Sequence, residues 1–197
     1  YRAIGIGKGD RIAAMMPNMP ENIACMLAAS SIGAIWSSCS PDFGEQGVID
    51  RFGQIEPKLF ITCDAYWYNG KLQDVSAKVR TVEPVLQAPV LVVRYAGDAE
   101  ALAASLTDGR TLEGFIAPFA SKPVDFTPLP FAHPLYILFS SGTTGVPKCI
   151  VHSAGGTLLQ HLKEQQFHSD LKAGDRLFYF TTCGWMMWNW LVSGLAT

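Results

Sequence analysis

Short apolar runs of strand length alternate with amphipathic stretches of helix length along this chain. That alternation restricts it to an α/β layered fold with a largely parallel sheet. Residues 11–16 follow the turn Gly7-Lys8-Gly9-Asp10 and read as a strand. Residues 20–32 read as a helix, with Pro20 at its start, Ile23, Leu27 and Ser30 at helical spacing, and Gly33 to end it. Strands are expected over 34–38, 58–63 and 90–94, and helices over 45–55 and 71–82. Residues 96–130 carry Pro118, Pro123, Pro128 and Pro130. They read as a surface excursion with short helices over 99–106 and 111–115, not as a domain boundary. Further strands are expected over 134–139, 149–152 and 175–180. Ser153 is placed to cap a helix running to about Phe167, and residues 186–195 read as a last helix. No internal repeat is visible.

The chain has 197 residues, 49% hydrophobic and 16% charged, with a formal net charge of -2. Such a chain can bury enough apolar surface to offset the entropy of ordering, which argues against disorder. Near-neutral charge leaves no electrostatic footprint for nucleic acid or for an anionic membrane. The five cysteines, Cys25, Cys39, Cys63, Cys149 and Cys183, are odd in number and include no C-x-x-C pair. They read as buried, reduced thiols in a cytoplasmic protein. His133, His152, His161 and His168 show no ligand spacing, so no metal site is assigned to them. Residues 22–41 and 177–197 lack charge over about the ~20 residues of a membrane span. Ser30, Ser31, Ser37, Ser38 and Ser40 in the first, and Thr181, Thr182 and Asn189 in the second, fit core elements better. The chain opens on Tyr1 without an initiator methionine and closes on an apolar run, so both ends read as cuts through a larger protein.

The informative stretch lies between the strand at 134–139 and the apolar run at 149–152. Ser141, Thr143 and Thr144 alternate with Gly142 and Gly145, and Lys148 follows. Small residues let the backbone approach an anion, hydroxyls add donors, and Lys148 supplies a point charge. A strand feeding such a loop is how α/β folds present phosphate sites. The loop is not a Walker A loop. That motif needs glycine next to lysine and a helix after it, whereas Val146-Pro147 separates Gly145 from Lys148 here. Gly5-Ile6-Gly7-Lys8-Gly9 has Asp10 where a dinucleotide loop needs glycine, and reads as an ordinary turn.

Ser141-Gly142-Thr143-Thr144-Gly145-Val146-Pro147-Lys148 resembles the phosphate-binding signature of the acyl-adenylate-forming superfamily, the AMP-binding enzymes. That superfamily includes acyl-CoA synthetases, luciferases and peptide-synthetase adenylation domains. Further segments are similar to its acetoacetate-activating CoA ligases. They are Ser37-Ser38-Cys39-Ser40-Pro41-Asp42-Phe43-Gly44, Asp50-Arg51-Phe52-Gly53-Gln54-Ile55-Glu56-Pro57-Lys58, Tyr66-Trp67-Tyr68-Asn69-Gly70-Lys71 and Thr182-Cys183-Gly184-Trp185-Met186-Met187-Trp188-Asn189-Trp190. The resemblance runs along essentially the whole chain.

It implies an acid–thiol ligase with ATP, Mg²⁺ and coenzyme A, acting on acetoacetate through an acyl-adenylate. Ser140, Ser141, Gly142, Thr143, Thr144, Gly145 and Lys148 would hold the ATP phosphates. Thr143 and Lys148 would be the catalytic residues, with Thr143 near Mg²⁺ through the phosphates. Trp185, Met186 and Met187 would line the acyl pocket. Trp188 and Trp190 read as core aromatics, while Trp185 stays open between core packing and capping a short acyl chain. Residues 1–197 would be part of the N-terminal adenylation domain. The adenine motif, the ribose-binding Asp and the small C-terminal domain would lie beyond, and the piece alone is expected to be inactive. The expected partners are small molecules, with no nucleic acid and no membrane span. A ligase for another short acid such as acetate, and a truncated ATP-binding module without catalysis, remain the alternatives.

Overall fold

The computed structural model describes residues 1–141 and 145–197 of the chain. In order, the elements are β1 (Arg11–Met15), α1 (Pro20–Ser31), β2 (Ile35–Cys39), α2 (Glu45–Phe52), β3 (Leu59–Cys63), β4 (Ala65–Tyr68) and β5 (Lys71–Asp74). Then come α3 (Ser76–Leu86), β6 (Val90–Val93), α4 (Ala99–Ala104), β7 (Gly109–Thr111), α5 (Leu112–Ile116), β8 (Pro134–Phe139) and β9 (Cys149–Ser153). Finally, α6 (Ala154–Lys163) leads into a π-helical turn at Glu164–His168, and α7 (Met186–Ser193) is followed by a short 3-10 turn at Gly194–Ala196, matching one at Arg2–Ile4 before β1.

Seven strands form one sheet in the order β7-β6-β3-β1-β2-β8-β9. Every pairing is parallel except that of β8 with β9. All residues of β2, β3 and β6 are buried, as expected of parallel strands covered on both faces. Their apolar side chains join those of α1, α2 and α3 in one core that includes Trp36, Phe52, Phe60 and Leu91. The α/β layered reading and the largely parallel sheet are both observed.

Local chemistry explains most boundaries. Pro20 occupies the first turn of α1, where its missing N–H costs nothing. Gly33, at φ +75°, stops the helix. Its N–H donates to the Ser30 carbonyl at 3.1 Å, and the Ala34 N–H donates to the Ala29 carbonyl at 3.0 Å. Together these bonds form a Schellman stop. Ser153 caps α6, its Oγ accepting from the Gly156 N–H at 3.3 Å. Asp10 Oδ2 accepts from the Gly7 N–H at 2.9 Å, which makes the segment at 7–10 the turn its composition suggests. Asp64, buried at the end of β3, gathers three backbone N–H groups on Oδ1: Ala65 at 2.7 Å, Tyr95 at 3.0 Å and Ala96 at 3.0 Å. It ties the exit of β3 to the exit of β6.

Three expectations need correction. Residues 71–82 are not one helix. Lys71–Asp74 is β5, paired antiparallel with β4 across Asn69-Gly70, and the helix runs from Ser76 to Leu86. Both turn residues have positive φ, 48° and 71°, which asparagine and glycine accept. Residues 175–180 are not a strand. They pair with no strand among the described residues, and Phe178 and Phe180 are 84% and 88% exposed. A strand is defined by its neighbour's hydrogen bonds, which alternation alone cannot supply. Cys149 is exposed, unlike the other four cysteines, because β9 is the edge strand of the sheet. The sequence reading also missed β7, three residues added in parallel beside β6. No helix among the described residues is long and apolar enough to cross a membrane.

Candidate functional site

The Ser/Thr/Gly/Lys segment sits at the carboxyl end of β8, the position where parallel sheets place their ligand sites. β8 delivers the chain to Ser140, and β9 carries it back beside β8, with Phe139 opposite Cys149. The frame is therefore strand–loop–strand, as the departure from the Walker pattern requires. Gly142, Thr143 and Thr144 lie outside the described residues, so the roles expected of them rest on the sequence.

The base of the loop is closed by hydrogen bonds. Ser140 N–H donates to the Lys148 carbonyl at 3.0 Å, and the Lys148 N–H donates to Ser140 Oγ at 2.9 Å. Ser141, Gly145, Val146 and Lys148 are exposed, while Pro147 is buried. Gly145 has φ +142°, a backbone state that side-chain-bearing residues rarely adopt. None of the ion pairs among the described residues involves Lys148. The mouth of the loop thus presents a positive charge to solvent, which suits an incoming phosphate.

Both ends of the loop rest on the end of α2. Phe139, at the entrance, meets Phe52 edge-on with ring centroids 6.5 Å apart, and Phe52 meets Phe60 of β3 at 6.1 Å. At the exit, Gln54 Nε2 donates to the Pro147 carbonyl at 2.8 Å. Gln54 Oε1 accepts a long bond from Cys149 Sγ at 3.8 Å. Gln54 enters the sequence reading only as one letter of a family segment. Its contact lies 93 positions away, and no local pattern announces it.

The segment at 183–190 is pinned against α1 and the end of β2. Ser38 Oγ donates to the Cys183 carbonyl at 2.7 Å, and Asn22 Nδ2 donates to Cys183 Sγ at 3.0 Å. Trp188 Nε1 donates to Asn18 Oδ1 at 2.9 Å. A Cβ on Gly184 would stand 3.4 Å from the Cys39 Cα, so this turn packs closely on the end of β2. Burial pushes the Cys183 thiol up to about 12 and the Cys63 thiol up to about 12, and raises Cys39 further. These thiols are packing groups, not nucleophiles.

Met186 and Met187 line a groove of about 680 Å³. Its other walls include Ile150 of β9, Thr157 and His161 of α6, and Trp190. Trp185 stands at the N-terminal end of α7 and is 61% exposed, so it belongs to no core cluster and does not line this groove. Trp188 is fully buried, as the core reading expects. Trp190 is half-buried and meets Tyr179 edge-on at 6.1 Å. His161 Nδ1 is bonded to Ser193 Oγ at 2.9 Å. Burial lowers its pKa, so the imidazole facing the groove is neutral near pH 7. Among the described residues no group of three or more His, Cys, Asp or Glu side chains is placed to hold a metal ion.

The AMP-binding enzyme family matches residues 2–197. The acetoacetyl-coenzyme A synthetase of Rhizobium meliloti (strain 1021) is 74% identical over 195 residues, covering 99% of this chain and 30% of that protein. The acetoacetyl-CoA synthetase of Mus musculus is 50% identical over 202 residues, covering 100% of this chain and 30% of that protein. A solved structure, acetoacetyl-CoA synthetase from Streptomyces lividans, superposes with a TM-score of 0.89 at 43% identity. That match covers 98% of this chain and 29% of that one. The chain spans about 30% of the length of the curated relatives it matches. With a glycine- and hydroxyl-rich loop mounted at the end of a parallel strand and a match from residue 2 to residue 197, the chain belongs to the AMP-binding enzyme family.

Proposed function

We propose that this chain is part of the N-terminal AMP-binding domain of a longer acid–thiol ligase that activates acetoacetate. The observation that carries the reading is the 74% identity, along 99% of this chain, to a protein named for that activity. In the first half-reaction a carboxylate oxygen of acetoacetate attacks the α-phosphorus of ATP. The bond to the bridging oxygen breaks, pyrophosphate leaves, and acetoacetyl-AMP forms. In the second, the thiolate of coenzyme A attacks the acyl carbon and AMP leaves.

The first step sets one anion against another, so charge neutralisation and positioning dominate its catalysis. Lys148 would neutralise developing charge on the departing phosphates. Ser140, Ser141, Gly142, Thr143, Thr144 and Gly145 would donate to their oxygens. The exposed Lys148 and the closed base of the loop fit that role. Mg²⁺ would supply further charge neutralisation while carried on the phosphates, with Thr143 associated with it through them. Met186 and Met187 would form one wall of the acyl site, and Trp185, standing exposed, would guard its approach. The substrates are small molecules found in the cytoplasm, where this reading places the protein.

ATP–pyrophosphate exchange on the full-length protein, with acetoacetate and acetate as rival acids, tests the reading. Exchange that depends on acetoacetate is expected. Exchange with acetate alone keeps the adenylate chemistry and discards the substrate. A folded protein that binds ATP and exchanges with neither acid is a binding module, and the proposal then fails.

A further inference from the structure

We propose that Gln54 is a positioning residue for Lys148, acting through the single peptide unit that joins Pro147 to Lys148. The inference rests on the reading of the loop as a phosphate holder. That peptide is held at both ends. Its carbonyl, on Pro147, accepts from Gln54 Nε2 at 2.8 Å. Its N–H, on Lys148, donates to Ser140 Oγ at 2.9 Å. A peptide unit is rigid and planar, so two bonds at its opposite ends set the plane from which the Lys148 Cα departs. That plane fixes where the Lys148 Cα sits, and so the point from which the lysine side chain reaches out.

The Ser140 bond is local and joins the two sides of the loop to each other. The Gln54 bond ties the exit of the loop to the end of α2, as the Phe139–Phe52 contact ties its entrance. Gln54 follows α2, whose last residue, Phe52, is fully buried and packs on Phe60 of β3. The same amide also donates to the Asp50 carbonyl at 2.5 Å, which keeps the side chain against its own helix. A glutamine at the solvent-facing end of a helix has no need of a distant partner, since water satisfies it. Here Gln54 reaches a carbonyl 93 residues away, and its oxygen faces the thiol of Cys149 on the other side of Lys148. The residues flanking Lys148 on both sides are therefore in contact with one side chain.

The test uses the full-length protein. Gln54→Ala removes the contact. Gln54→Met keeps the length and removes both hydrogen-bonding atoms. Each is expected to lower kcat/KM for ATP in pyrophosphate exchange about tenfold, mainly through KM, with KM for the acid unchanged. In a Lys148→Ala background the same changes are expected to cost less than about twofold, because residues acting as a unit are not additive. Equal losses in both backgrounds, or no loss with Lys148 present, overturn the proposal. Trypsin supplies a readout that needs no ATP, since it cuts after Lys148. Cleavage of the Lys148–Cys149 bond is expected to quicken at least about threefold in both Gln54 variants, as local opening becomes easier. An unchanged cleavage rate overturns the hold itself. If the unmodified protein exchanges with no acid, the functional reading falls while the cleavage rates still decide whether Gln54 fixes the peptide.

Discussion

Lys148 buries little and pairs with no carboxylate among the described residues, so its contribution to folding is small and its charge is available to a ligand. Lys148→Ala in the full-length protein is expected to lower kcat/KM for ATP about 100-fold, the scale of losing one charge-stabilising donor. Its melting temperature should stay within about 2 °C of the parent, since a surface substitution shifts stability by ~0.5 kcal/mol or less. Steady-state exchange kinetics and a thermal melt check both halves. His161 is the opposite kind of residue. Burial lowers its pKa from 6.5, with His152 adding to the fall and Glu164 opposing it. The unfolded chain therefore binds more protons at this site than the folded chain just below pH 6.5. Stability contributed here rises with pH through that window and is lost as the pH falls through it. The melting temperature is expected to fall less between about pH 7 and pH 5 in His161→Asn than in the parent. Parallel slopes in thermal melts across that range would remove His161 from the account.

At the scale of elements, α1 depends on its stop. Gly33 has φ +75°, and a Cβ there would lie 2.8 Å from Leu129 Cδ2. Gly33→Ala combines backbone strain with that clash and is expected to cost about 1–3 kcal/mol, read from the urea midpoint. This boundary was legible because a glycine after a periodic apolar run is a local signal. The β4–β5 hairpin was equally local. Asn69-Gly70 is the strongest short hairpin signal, but the helical spacing of the residues after it runs on from Lys71–Asp74 and masks the strand there. The failure at 175–180 differs in kind. Phe178 and Phe180 alternate as strand residues do, yet the segment pairs with no strand among the described residues. Alternation states that a segment can be a strand, and only a neighbour makes it one.

For the whole molecule, the order β7-β6-β3-β1-β2-β8-β9 places β1 at the centre and β7 and β9 at the edges. Among the described residues β1, β2 and β3 are each paired on both sides, and hydrogen exchange is expected to be slower in them than in β7 and β9, which are paired on one side. Equal protection across the sheet would show that the strands open as one unit. This order also brings β8 beside β2, so that the loop after β8 and the turn at Gly184, packed on Cys39, lie at the ends of neighbouring strands. By itself the sequence determined the α/β class, most element boundaries, a loop between two strands at 140–148 and the family, since period, turn chemistry and an unbroken motif are all properties of adjacent residues. The tertiary structure alone decided that Gln54 meets Pro147, that Asn22 and Ser38 hold Cys183, that Met186 and Met187 line a groove while Trp185 faces solvent, and that Cys149 is exposed. Those facts join residues far apart in the chain, and which of them meet is set by strand order and by the closing of long loops, neither of which leaves a mark on local spacing.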